Sequence, residues 1–108
     1  MAEQYPFAFV NATVTAGATA VTILSLLQGE GFNPTGACVG LSITFDANVY
    51  YGSASTVTNT DGALVAANTP VTDAGTGVSG NSIPIANMFV YKQAAGDANC
   101  VIYARFIP

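Results

Sequence analysis

The stretch Asn99-Cys-Val-Ile-Tyr-Ala-Arg-Phe-Ile107 alternates along its whole length. Cys100, Ile102, Ala104 and Phe106 fall on one side, and Val101, Tyr103, Arg105 and Ile107 on the other. A period of two marks a β-strand, because successive side chains point to opposite faces of the sheet. The second face is only half polar, so it too has surface to cover. Cys38 to Phe45 repeats the pattern, with Val39, Leu41, Ile43 and Phe45 together and Gly40, Ser42 and Thr44 opposite.

Working outward, Thr19 to Leu27 opens rich in β-branched residues and reads as a strand, with Ile23 to Gln28 its one ambiguous piece. Tyr5 to Val14 reads as one or two strands, with Phe7 and Phe9 in phase. Asn48 to Tyr51 is a short strand, and Ile83 to Tyr91 is an apolar run that Pro84 makes irregular at its start. Turn residues separate these runs. Gly29 to Gly36 is a long loop, Asp46-Ala-Asn48 a tight connection, Asp61-Gly62 a turn and Gly96-Asp97 a hairpin turn. Ser53 to Ser82 is rich in Thr, Ser, Asn, Ala and Gly. A structureless loop of that length is unusual in a compact domain. Weak strands at Ala63 to Ala66 and Thr69 to Thr72 are therefore expected to pair at a sheet edge or against another chain. Short strands between turns predict an all-β chain. Its expected form is a single-domain antiparallel β-sandwich over residues 1–108, jelly-roll-like. Residues 1–10 would form an N-terminal arm, and residues 53–82 a loop-rich segment.

Composition narrows the function. The chain has 108 residues, 51% of them hydrophobic and 7% charged. Typical domains carry about 25% charged residues. Six acids, two bases and no histidine give a net charge of −4. Lys92 and Arg105 cannot form the basic patch that a nucleic-acid binder needs. Without histidine, Ser-His-Asp and Cys-His catalysis is excluded, and a Ser-Lys dyad would have to use Lys92. Glu3, Glu30, Asp46, Asp61, Asp73 and Asp97 are scattered, and most sit in expected turns. Their spacing gives no support to a carboxylate pair. The expectation is a protein that is not an enzyme and takes no cofactor and no metal.

Several short motifs have plainer readings. Gly75-Thr-Gly-Val-Ser-Gly80 matches G-x-G-x-x-G, but Asn81-Ser-Ile-Pro84 follows where a phosphate-binding motif needs a helix. Asn59-Thr-Asp-Gly62 has oxygen ligands beside a glycine but lacks the acids of a calcium loop. Asn11-Ala-Thr13 fits a glycosylation sequon without an export signal beside it. The uncharged run Gln4 to Gln28 is broken by Pro6, Asn11 and Gly17. It does not read as a membrane span, which needs about 20 predominantly apolar residues. Synthesis in the cytoplasm without export is expected, with Cys38 and Cys100 as small reduced core residues and a disulfide closing a large loop between them as the alternative. So few charges, and a largely apolar strand face at Val101, Tyr103 and Ile107, point to surface buried against copies of the chain or against a partner, with an uncharged Thr-, Ser- and Asn-rich surface as the alternative.

The segment Asn48-Val-Tyr-Tyr-Gly-Ser-Ala-Ser-Thr-Val-Thr-Asn-Thr-Asp-Gly-Ala-Leu-Val65 resembles small virion proteins of tailed bacteriophages, in particular head decoration (cement) proteins. An aromatic strand runs into a Gly-Ser turn, a Thr-rich stretch and an Asp-Gly turn. Thr69-Pro-Val71, the strand Ile83 to Tyr91 and the closing Cys100 to Ile107 continue in the same style, so the likeness covers Leu41 to Pro108. The resemblance implies a structural protein bound to the outside of an assembled capsid, often as a trimer, with the major capsid protein as partner. It would be made in the host cytoplasm and located on the virion. Candidate contacts are Tyr5, Phe7 and Phe9 at the N-terminal end and Phe106, Ile107 and Pro108 at the C-terminal end, with core packing as the alternative for all six. A second reading is a phage tail or fibre component or a lectin-like module stacking sugars on Tyr50, Tyr51 or Tyr91. Tyr50 and Tyr51 are adjacent, so a strand would turn them to opposite faces.

Overall fold

A computed structural model describes residues 7–34, 36–74, 83–93 and 95–107. Among these residues eight strands run in chain order: β1 (Phe7–Val14), β2 (Val21–Thr22), β3 (Cys38–Phe45), β4 (Val49–Gly52), β5 (Ala63–Val65), β6 (Val71–Ala74), β7 (Phe89–Tyr91) and β8 (Ala98–Phe106). Among the described residues, the helix α1 (Ile23–Gly29) follows β2, and a 3-10 turn at Ile85–Asn87 precedes β7.

The first half of the chain pairs with the second half in reverse order. β1 pairs with β8, β2 with β7, β3 with β6 and β4 with β5, all antiparallel. This long ribbon then rolls up, because β8 also pairs with β3 and β7 with β4. The result is two four-stranded sheets, β1-β8-β3-β6 and β2-β7-β4-β5. That order is the double Greek key of a jelly roll, so the expected sandwich and its expected topology both hold. The Thr-rich segment contributes β5 and β6, and each lies at a sheet edge as its weak pattern predicts.

Alternation builds the core. Ala98, Cys100, Ile102, Ala104 and Phe106 of β8 point inward with Leu41, Ile43 and Phe45 of β3. Val49 and Val90 reach the same core from the second sheet. Between Cys38 and Gly40 the β3–β8 register shifts by one residue. That bulge lets consecutive residues, Cys38 and Val39, both be buried. The inner positions of β1 are small. Ala8 stands opposite Ala104, and Ala12 opposite Cys100. This low ground is covered by α1, which packs on β1 through Ile23, Leu26 and Leu27.

The helix corrects one sequence expectation. Thr19 to Leu27 is not a single strand: pairing stops at Thr22 and the chain coils. The Thr22 hydroxyl accepts a hydrogen bond from the Ser25 amide at 3.0 Å, an N-cap. At the other end Gly31 has φ +88, Phe32 N–H donates to Leu27 O, and Gly31 N–H donates to Gln28 O, both at 3.0 Å. These are the two bonds of a Schellman cap, which glycine's left-handed backbone allows. A second correction concerns Gly96-Asp97. It is not a hairpin turn, because β7 and β8 belong to different sheets and the segment crosses between them. Asp97 Oδ1 ties the crossing down by accepting from Ala16 N–H at 2.9 Å.

Phe106 is 1% exposed and stacks on Phe32 with centroids 5.5 Å apart. Phe106→Ala is expected to cost about 3–5 kcal/mol in urea denaturation. Phe9→Ser, on the outer surface, should change stability by about 0.5 kcal/mol or less.

Candidate docking face

The outer side of the β1-β8-β3-β6 sheet carries the chain's main exposed aromatic surface among the described residues. The β1–β8 register sets it, by placing Phe9 opposite Tyr103, Phe7 opposite Arg105, Asn11 opposite Val101 and Thr13 opposite Asn99. On the far side of β8, Ser42 of β3 faces Tyr103 and Thr44 faces Val101. The two ends of the sheet differ in character. At one end Phe7 and Phe9, 59% and 65% exposed, flank Tyr103 with centroid separations of 5.8 and 6.1 Å. Such edge and tilted arrangements suit aromatic quadrupoles and hold the rings as one patch. Val101 extends the patch along β8. Arg105 borders it and lies across Gly40, where a built Cβ would sit 3.5 Å from Arg105 Cβ and Nε. At the other end the outward residues are Asn11, Thr13, Thr44 and Asn99.

The six candidate contacts separate. Phe7 and Phe9 face outward together in strand β1, so residues 7–10 of the expected arm are strand, and residues 1–6 lie outside the described residues. Phe106 belongs to the core and takes the packing alternative. Ile107 is half-buried, and its N–H donates to Ala37 O at 2.9 Å. Tyr5 and Pro108 lie outside the described residues, as does Gly75 to Gly80. Tyr103 joins the site because β8 brings it between two aromatic rings that are far away in sequence. Only a known β1–β8 register could have revealed that.

The tyrosines of the lectin-like reading also separate. Tyr50 pairs with Tyr91 on one side and Leu64 on the other, in one row across the second sheet. Tyr51 turns inward, edge-on to Phe45 at 6.1 Å. Its hydroxyl is buried with no hydrogen-bond partner among the described residues, and burial pushes its pKa well above the ordinary value. Asn59 to Gly62 forms a turn closed by reciprocal 3.2 Å bonds between Thr58 and Asp61. Cys38 and Cys100 are both buried, and burial pushes the Cys100 thiol up to about 11, with Asp46 and Glu30 adding to the rise. Among the described residues no helix is long and apolar enough to cross a membrane. No group of three metal-ligating side chains occurs among them.

Comparison with known proteins gives no significant match to a family model, a curated protein or a solved structure. Fold and surface define the chain as a small jelly roll with an exposed aromatic patch on one sheet.

Two expectations follow from the interior groups. Tyr51→Phe removes a buried hydroxyl without a partner and should raise stability by about 1 kcal/mol in urea denaturation. Cys100 has a folded pKa of about 11 against an ordinary 9.0. Its contribution is thus complete below about pH 9 and is lost as pH rises toward 11. Denaturation midpoints should fall across that window, and fall less steeply in Cys100→Ala.

Proposed function

We propose that this chain is a structural protein of a phage virion, a decoration protein that binds the outer surface of the assembled capsid and stabilises it. The observation that supports this reading best is the Phe7–Tyr103–Phe9 patch on an open sheet face. A cluster of exposed aromatics bordered by polar residues is the anatomy of a protein-binding surface. Phe7 and Phe9 also lie on β1, an edge strand of its sheet. A chain that binds only the assembled shell shifts the assembly equilibrium by mass action. Many copies, each bound weakly, add up because the lattice offers many sites. The partner is the major capsid protein, and the decoration unit is a trimer on the capsid exterior.

Size-exclusion chromatography with light scattering should give a mass near three times 10.9 kDa. Phe7→Ser with Phe9→Ser should reduce sedimentation with expanded capsids by about tenfold or more, the loss expected for aromatic anchors of an interface. Circular dichroism should show the same variant folded. Undiminished capsid binding by the folded variant would remove the patch from the interface.

A further inference from the structure

The polar end of the same sheet face forms a groove of about 380 Å³. Asn11 and Thr13 of β1, Thr44 of β3 and Asn99 of β8 supply its floor, while Asp46 and Asn68 supply its rim. The volume lies in the range of small-molecule sites. We propose that this groove binds a neutral sugar, with Asn11, Asn68 and Asn99 hydrogen-bonding its hydroxyls.

The groove is held in shape by bonds that leave much of its polar capacity unused. Asp46 accepts from the Asn99 backbone N–H at 2.8 Å and from Asn99 Nδ2 at 3.3 Å. Thr13 Oγ1 donates to Asn99 Oδ1 at 2.9 Å, so the Asn99 amide is fixed from both ends. One N–H of that amide stays available, since a carboxamide has two. Asn68 is fixed by its backbone: its N–H donates to Phe45 O at 2.7 Å, and its φ is +62. Next to it, Ala67 N–H donates to Asn48 Oδ1 at 2.8 Å. The side chains of Asn11, Thr44 and Asn68 make no hydrogen bond among the described residues. Donors and acceptors are thus mixed around one space, with the Asn99 amide ordered in advance. A ligand bound there needs several groups that both donate and accept, which describes vicinal hydroxyls.

Charge narrows the class further. No lysine or arginine lines the groove, and Asp46 puts a negative charge on its rim. Phosphate, sulfate, uronate and sialate groups would meet acceptors and no cation. A calcium ion needs six to eight oxygen ligands, usually several of them carboxylates, and here one carboxylate is already engaged by Asn99. Val101 gives the groove an apolar wall against which the C–H face of a pyranose can rest. The proposal does not depend on the docking reading. Its site adjoins the aromatic patch, sharing Val101, and Asn11 is two residues along β1 from Phe9, about 7 Å at 3.3 Å per residue.

The test is an amide NMR titration of the isotope-labelled full chain. The probes are methyl glycosides of glucose, galactose, mannose and N-acetylglucosamine, with sialic acid and glucuronate as charged controls. Neutral glycosides should shift Asn11 to Thr13, Thr44 to Asp46, Asn68 and Asn99 to Val101, and the acids should not. Asn11→Ala and Asn68→Gly should each weaken binding by about tenfold, as lost hydrogen bonds would. Glycine keeps the left-handed backbone at residue 68, so this variant removes the amide without strain. Leu64→Ser, on the other sheet, should bind as the parent does. No shift with any neutral glycoside, shifts with the acids alone, or shifts confined to Tyr50, Leu64 and Tyr91 would overturn the proposal. Its failure would leave capsid binding by the aromatic end unaffected.

Discussion

The pairing of β8 between β1 and β3 is the constraint on which the rest of the structure depends. β8 is matched along its length on both sides, to Phe7–Val14 and to Cys38–Phe45. Its alternation divides the molecule in two. Cys100, Ile102, Ala104 and Phe106 close the core, while Asn99, Val101, Tyr103 and Arg105 form the middle of the outer face. A slip of one residue would exchange those sets. Core and surface are therefore specified by one register, and the aromatic patch and the polar groove share the strand that holds the interior together.

The interior shows why the outer face can stay so apolar. Inward positions of β1 and β8 include Ala8, Ala12, Ala98 and Ala104, which give each strand little depth. Depth comes instead from α1 and from the large side chains of Phe45 and Phe106. Every fully buried side chain among the described residues is hydrophobic. With a core complete in itself, Phe7, Phe9 and Tyr103 are not needed inside. Their exposure is then a property of the surface, and it places an aromatic end beside a polar end on one sheet.

Much of this was legible in the residues. The alternation in Asn99 to Ile107 and in Cys38 to Phe45 marked the two long strands, and the turn residues marked the sandwich. The weak edge strands showed through the Thr-rich segment because a compact domain leaves little room for a long free loop. The helix was concealed by the β-branched opening of Thr19 to Ile23. Its signals were nonetheless present: Thr22 before Ile23, Leu26 and Leu27 at helical spacing, and Gly31 just past the end. Phe106 was ambiguous from sequence because both faces of its strand carry apolar residues, so either could be covered. The groove was out of reach. Asn11, Asp46, Asn68 and Asn99 lie on four different segments, and only the three-strand register and the Asn68 turn bring them together.

The central claim is that register, and nuclear Overhauser contacts between aromatic rings test it most directly. The structure predicts contacts from the Tyr103 ring to both Phe7 and Phe9, and from Phe106 to Phe32. Contacts from Phe9 to Ile102 or Phe45 side chains would mean that β1 is turned over. They would contradict the register, the outward aromatic face and everything built on it.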